Sequence, residues 1–276
     1  MELPEITILA RQMDEEMAGK RIAEVDVANE KCLNMPLEGF REIAVGRKVS
    51  AVAPRGKWVF TSLSPGYTLL FNTGMGADVI HFKPGGELPE KYHIRIGLDD
   101  GSGFTARVWW FCYLHLVPNE GLREHKLTRG MGLTPLDEGF TQAHLTGLLE
   151  GRRGGIKSFL LNQRNVAGIG NVYIQDILFK ARLHPLRKIN TLTEGDIRSL
   201  HRSMREVLRE SIGICGLAYE RDFYGNRGGY GKEQYRVAYK PGEPCPRCGT
   251  TIEKIKTGST SSFICPDCQT ITCSGA

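Results

Sequence analysis

Two stretches of this sequence hold residue types at spacings that could do chemistry. The first is the opening MELPEI, where Glu2 and Glu5 lie within five residues of an α-amine, with a Leu-Pro pair between them. An α-amine has an ordinary pKa of about 7.7–8.0, so a useful fraction is neutral and nucleophilic near pH 7, unlike a lysine at about 10.4. A carboxyl beside it could serve as general acid or base. The plainer reading is a ragged end running into a helix. The second stretch is CPRCGTTIEKIKTGSTSSFICPDC, which sets Cys245, Cys248, Cys265 and Cys268 in a C-x2-C-x16-C-x2-C pattern. Each pair turns two thiolates toward one point, and four thiolates close a tetrahedral zinc site with no open position for a substrate. The expected cofactor is therefore one structural Zn2+ ion. Cys273 follows the second pair and has no place in the tetrad.

These residues need a scaffold, and the composition bounds it. The chain has 276 residues, 41% hydrophobic and 24% charged, which suits about two globular domains. No apolar run approaches the roughly 18 residues of a membrane span, and the start lacks the basic-then-apolar order of a signal peptide. The expectation is an intracellular, cytoplasmic protein with no membrane partner. Five of the eight cysteines crowd the last 32 residues, which is metal-site usage in a reducing compartment. Net charge is +5. Between Gly151 and Lys188 stand eight Lys or Arg against one acid, Asp176. Such an excess can neutralise phosphates, although a charge run alone is as readily a solvated helical face.

Ile6, Leu9, Met13 and Met17 recur at helical spacing and predict an amphipathic helix closed by Gly19. Seven β-like runs follow, from RIAEVDVA to GFTARVWWFCYLHLV, and predict a β-sandwich or barrel ending near Pro118. From Phe140 the period becomes helical. Thr141 can cap one helix, Ile156 starts another, and Thr193 with Asp196 forms a capping box for a long one. Between them VAGIGN places Gly168 and Gly170 in a turn, with Asn171 as a cap for the next helix. A Gly-x-Gly turn lets backbone amides approach a phosphate, and it also makes a tight corner between helices. The expected organisation is α+β: residues 1–120 a β-sandwich with a leading helix, 121–216 a helical lobe, 217–241 a loop or connector, and 242–276 a zinc-finger hairpin.

An ELPE start, a PRGKW turn, an NTGMG turn, the IKSFLLNQRNVAGIGNVYIQDILFKARLHP core and a GEPC…CGT…FIC finger occur in that order. Together they resemble the formamidopyrimidine-DNA glycosylase/endonuclease VIII family over nearly the whole chain. The resemblance implies a base-excision-repair glycosylase and AP lyase with a helix-two-turn-helix lobe. It implies a monomer acting on damaged double-stranded DNA at the nucleoid. Such enzymes flip a base out of the duplex, because its reactive atoms are unreachable inside the stack. The terminal amine, here of Met1, attacks C1′ and forms a Schiff base, with Glu2 as acid at the ring oxygen and Glu5 holding the turn. Carried over by position, Lys57 contacts DNA and assists catalysis, and Met75 fills the gap left by the flipped base. Lys157, Asn171 and the Gly168 and Gly170 amides bind phosphate, and Trp110 and Phe111 stand in the intercalating loop. His93 lies at the DNA face or is a satisfied strand histidine.

Three positions depart from the family pattern. Met1 stands where the family presents proline, so the nucleophile becomes a primary amine. Trp109-Trp110-Phe111-Cys112 replaces an Arg-Arg-Phe-Gly loop, exchanging base-edge reading for aromatics that either wedge between bases or sit as strand core. Thr260 replaces a finger arginine that clamps phosphate. The alternative reading is a binder of damaged DNA with weakened or no turnover. A zinc-ribbon RNA-binding protein is a third, and it leaves the ELPE start without a purpose.

Overall fold

The computed structural model of the chain describes residues 1–271, and Cys273 lies outside them. The chain forms two compact units. The first joins Met1–Gly130 with Ile214–Gly229, and the second joins Met131–Gly213 with the chain from Tyr230 onward.

In the first unit, helix α1 (Leu3–Met17) buries Ile6, Leu9, Met13 and Met17, the face that the spacing predicts. Strands β1 (Ile22–Val27), β5 (Ala77–Phe82), β6 (Ile94–Leu98) and β7 (Gly103–Val108) form one antiparallel sheet in the order β1-β6-β7-β5. Strands β2 (Lys48–Arg55), β3 (Trp58–Ser64), β4 (Tyr67–Asn72) and β8 (Tyr113–Pro118) form the other, in the order β2-β3-β4-β8. Val25, Ile96, Phe104, Val49, Val59, Phe71 and Leu114 share one apolar core with α1. A short helix, α2 (Leu37–Ala44), adds Phe40 and Ala44 to that core. Asp14 on α1 accepts the Val52 N–H of β2 at 2.7 Å, which fixes the helix on its sheet.

The run GFTARVWWFCYLHLV is two strands rather than one. β7 stops at Val108 and β8 starts at Tyr113 in the opposite sheet, so residues 109–112 must turn between sheets. Both tryptophans therefore leave the core, Trp109 at 53% and Trp110 at 74% exposure.

A half-buried histidine pair also belongs to this unit. His115 Nδ1 and His125 Nε2 lie 2.8 Å apart, with Trp58 and Tyr113 packed edge-on. Burial, then repulsion from His125, pushes His115 down to about 4, and burial lowers His125 as well. The unfolded chain then binds more protons than the folded one between about pH 6.5 and 4, so stability is lost as pH falls through that window. Urea midpoints measured from pH 7 to 4 are expected to fall. A His115→Phe variant should flatten the slope, and an unchanged slope would count against the pair.

In the second unit, α3 (Gln142–Leu149), α4 (Ile156–Leu161), α5 (Tyr173–Lys180) and α6 (Glu194–Gly213) pack around Leu145, Leu160, Ile174, Ile177, Leu200 and Met204. Thr141 Oγ1 accepts the His144 N–H, and Thr193 and Asp196 exchange the two capping-box hydrogen bonds at 3.1 and 2.9 Å. The hairpin of β9 (Glu253–Thr257) and β10 (Thr260–Ile264) completes this unit. Buried Asp176 organises the chain after Tyr230, accepting from Tyr230 Oη and from the Arg236, Val237 and Ala238 amides at 2.9–3.1 Å.

Two expected boundaries move. The first unit runs to Gly130 instead of 120, and residues 217–229 belong to it rather than to a connector. The cause is hydrogen bonding to α1. Gln12 Nε2 donates to Asp222 Oδ2 (3.0 Å), the Phe223 N–H donates to Gln12 Oε1 (2.9 Å), and Phe223 enters the sandwich core.

Candidate active site and nucleic-acid interface

The start of α1 is packed, not frayed. Pro4 is pre-set for a first helical turn, and Met1, Glu2 and Glu5 are all buried. The Glu2 N–H donates to Glu5 Oε2 at 3.0 Å, and the Leu217 N–H donates to Glu5 Oε1 at 3.1 Å. Glu5 thus fastens the returning segment 214–229 beneath the amino terminus. Gly216 has φ +80, and a β-carbon there would lie 3.0 Å from Glu5 Oε1, so the approach requires glycine. On the other side of the amine stands Glu220, with its Oε1 3.7 Å from the Met1 nitrogen. Spacing gave no signal for Glu220, since it lies in a Gly-, Tyr- and Arg-rich stretch far from Met1 in sequence.

Lys57 follows Gly56 (φ +59) in the two-residue turn between β2 and β3. Asn72, which sequence reading missed, ties this turn to the next loop. Its Nδ2 donates to the Lys57 carbonyl at 2.8 Å, and its Oδ1 accepts the Gly74 N–H at 2.9 Å. Met75, just beyond, is 70% exposed. A β-carbon on Gly74 would fall 1.7 Å from the Phe111 carbonyl oxygen, so glycine alone lets the Met75 loop lie against the 109–112 loop. Met75, Trp109, Trp110 and Phe111 thus make one exposed apolar patch, with Arg107 over the Trp109 ring at 5.0 Å. Beside it lies a cavity of about 510 Å³ lined by Trp110, Phe111 and His93. His93 is exposed, and its Nδ1 accepts the Val108 N–H at 3.1 Å.

In the second unit, Lys157 and the glycine turn, expected to bind phosphate, are buried. Lys157 is 2% exposed, and its Nζ donates among Thr257 Oγ1, Thr260 Oγ1, the Ser261 carbonyl and Ser262 Oγ at 2.7–3.1 Å. Burial pushes the ammonium down to about 8. Thr260, in the arginine's position, is thus a partner of Lys157. Gly168 and Gly170 are buried, and the Gly168 N–H already donates to Gln163 Oε1 at 2.8 Å. Asn171 precedes the cap position of α5, which is Val172, and its Oδ1 accepts from Gln175 Nε2 at 3.2 Å. Gln175 in turn accepts the Phe263 N–H of β10, linking α5 to the hairpin.

The four cysteine sulfurs lie within 4.8 Å of one another. Contacts of 3.8 Å (Cys245–Cys268), 3.4 Å (Cys248–Cys265) and 3.5 Å (Cys248–Cys268) match the edge of about 3.8 Å that a tetrahedron with Zn–S of about 2.3 Å demands. Among the described residues the group consists of these four thiols alone, so the donor set fits a closed structural zinc. Among the described residues no helix is long and apolar enough to cross a membrane.

Comparison with known proteins agrees with this architecture piece by piece. Residues 1–107 match the formamidopyrimidine-DNA glycosylase N-terminal domain, residues 131–220 the H2TH domain of the same glycosylases, and residues 242–271 a zinc finger found in FPG and IleRS. A formamidopyrimidine-DNA glycosylase of Chloroflexus aggregans is 36% identical over 98% of both chains. One from Pelotomaculum thermopropionicum is 35% identical over 98% of this chain and 99% of its own. Among solved structures, Lactococcus lactis Fpg bound to abasic-site DNA superposes with a TM-score of 0.88 at 26% identity, covering 98% of this chain and 99% of its own. MutM bound to DNA containing carbocyclic 8-oxo-G gives 0.89 at 26%, covering 98% of this chain and 100% of its own.

Proposed function

The chain belongs to the formamidopyrimidine-DNA glycosylase family, and from that premise we infer a base-excision-repair DNA N-glycosylase and AP lyase that uses the Met1 amine as nucleophile. The observation that supports the assignment of roles is the buried helix start, where Met1 and Glu2 are buried side by side and Glu5 accepts the Glu2 N–H. With a nucleotide flipped from the duplex, the amine attacks C1′ and displaces the base. Glu2 protonates the ring oxygen, so the sugar opens to a Schiff base and β-elimination can follow. Lys57 supplies positive charge at the DNA from the turn that Asn72 fixes.

Met75, Trp110 and Phe111 form the wedge that fills the stack after flipping. Their exposure supports this, since apolar side chains inserted at a base step offset unstacking by new contact. Aromatics in place of an arginine stack on an opposite base without reading its edge. Lys157 posts the zinc hairpin against α4, and as a phosphate ligand it would exchange hydroxyl partners for phosphate oxygens. When bound, zinc supplies structure and no reaction chemistry: Cys245, Cys248, Cys265 and Cys268 would hold it.

The substrate class we favour is an oxidised purine in double-stranded DNA. The solved relatives carry abasic-site, Fapy-dG or 8-oxo-G DNA, which supports that choice over an oxidised pyrimidine. The protein works as a monomer on DNA inside the cell. A binder without turnover is not favoured, because Glu2 and a packed amine are both retained.

Borohydride trapping on an abasic-site duplex, with the crosslinked residue located by mass spectrometry, tests the reading. A crosslink on the Met1 nitrogen is expected. One on Lys57 would move the nucleophile, and none at all on bound DNA would remove the lyase step.

A further inference from the structure

We infer that Glu220 is a further catalytic residue, the base that takes a proton from the Met1 ammonium and so creates the nucleophile. The inference rests on the Met1-amine reading and names the group that reading lacks. An α-ammonium cannot attack carbon until it loses a proton, so something beside it must accept one. Glu5 is committed, with one oxygen taken by the Glu2 N–H and the other by the Leu217 N–H. Glu2 is assigned to the ring oxygen in that reading, and its side chain already accepts the Glu5 N–H in the capping box of α1. Glu220 remains, with its carboxylate 3.7 Å from the amine and both side chains out of water, at 1% and 10% exposure. Catalytic contacts of this length tighten when substrate binds.

Burial raises the Glu220 carboxyl, the Met1 ammonium beside it pulls the other way, and the nearby charge of Asp78 on β5 adds to the rise. Asp78 is itself paired with Arg221 at 3.8 Å, and the other carboxylates at this helix start are Glu2 and Glu5.

The step balances within the pair. Met1–NH3+ and Glu220–COO− become Met1–NH2 and Glu220–COOH. The nitrogen lone pair then forms the N–C1′ bond as the glycosidic bond breaks, and the departing base leaves with that electron pair and is protonated from water. Because the proton moves internally, the amine needs no proton release to solvent wherever Glu220 stands as the carboxylate.

The test is single-turnover borohydride trapping from pH 5.5 to 9 with the full-length zinc-loaded protein, its Glu220→Gln variant and its Glu220→Asp variant. Unfolding midpoints and abasic-duplex affinity serve as folding controls. Wild type and the Asp variant should be nearly flat from pH 5.5 to 7.5. The Gln variant must release its proton to solvent, so its rate should fall about tenfold per pH unit below the usual amine pKa of about 8. It should be roughly 100-fold slow at pH 6 and approach wild type at pH 9. A Gln variant that parallels or outruns wild type at pH 6 overturns the inference, since the carboxylate would then only hold the ammonium. Wild type that never crosslinks through Met1 overturns the Met1-amine reading itself, and this step with it.

Discussion

Changing Glu2 to Gln is expected to slow base release by about 10²–10⁴-fold, the range that a positioned general acid contributes, while abasic-duplex affinity stays within about threefold. The substitution keeps the side-chain shape and leaves untouched the backbone N–H that Glu5 accepts, so the helix start should hold. What it removes is the proton for the ring oxygen. Single-turnover excision from an 8-oxoguanine duplex, paired with fluorescence anisotropy, separates the two quantities. A rate within tenfold of wild type would take Glu2 out of the acid role. Equal losses in rate and affinity would make it a structural residue.

The second large effect concerns the zinc. A structural site of this kind contributes roughly 10–16 kcal/mol of metal binding that is also folding energy. Stripping the ion should therefore disorder the β9–β10 hairpin, and with it the oxygens of Thr257, Thr260, Ser261 and Ser262 that hold the Lys157 ammonium. A buried ammonium without those acceptors is costly, so α4 should lose protection from hydrogen exchange as well. DNA affinity is expected to fall by about tenfold or more, since Lys254 and Lys256 on the hairpin lose their fixed placement as positive charges. Amide exchange of the second unit before and after chelation, with zinc restored as control, checks this. An unchanged α4 would show that Lys157 needs no hairpin.

Much of this was legible before any coordinates, for reasons that differ by element. The face of Ile6, Leu9, Met13 and Met17 repeats at helical spacing, and the cysteine pairs carry a ligand geometry in their spacing alone. The Thr193–Asp196 box is local chemistry, three residues apart. α2 went unread because LEGFREIA is short and carries a glycine, and only Phe40 and Ala44 packing into the sandwich makes it a helix. The loop at Trp109–Cys112 looked like strand because aromatics favour strands; what breaks it is a change of sheet, which no local propensity encodes. Lys157 reads as a surface cation until the hairpin, about a hundred residues on, surrounds it. Glu220 and Asn72 act through partners distant in sequence, and neither sits in a pattern that advertises it.

The return of Ile214–Gly229 to the first unit has a consequence for biosynthesis. Glu5 emerges from the ribosome well before its partner Leu217, which follows 212 positions later. The sandwich strands can pair as they appear, but the helix start at Met1 cannot be closed until nearly the whole chain has been made. Contacts of such long sequence separation also form late in folding, because the loop must be closed before they reward it. The helix start is therefore completed after the second unit's helices have been synthesised. A prematurely terminated chain would carry the strands of the sandwich without a closed helix start.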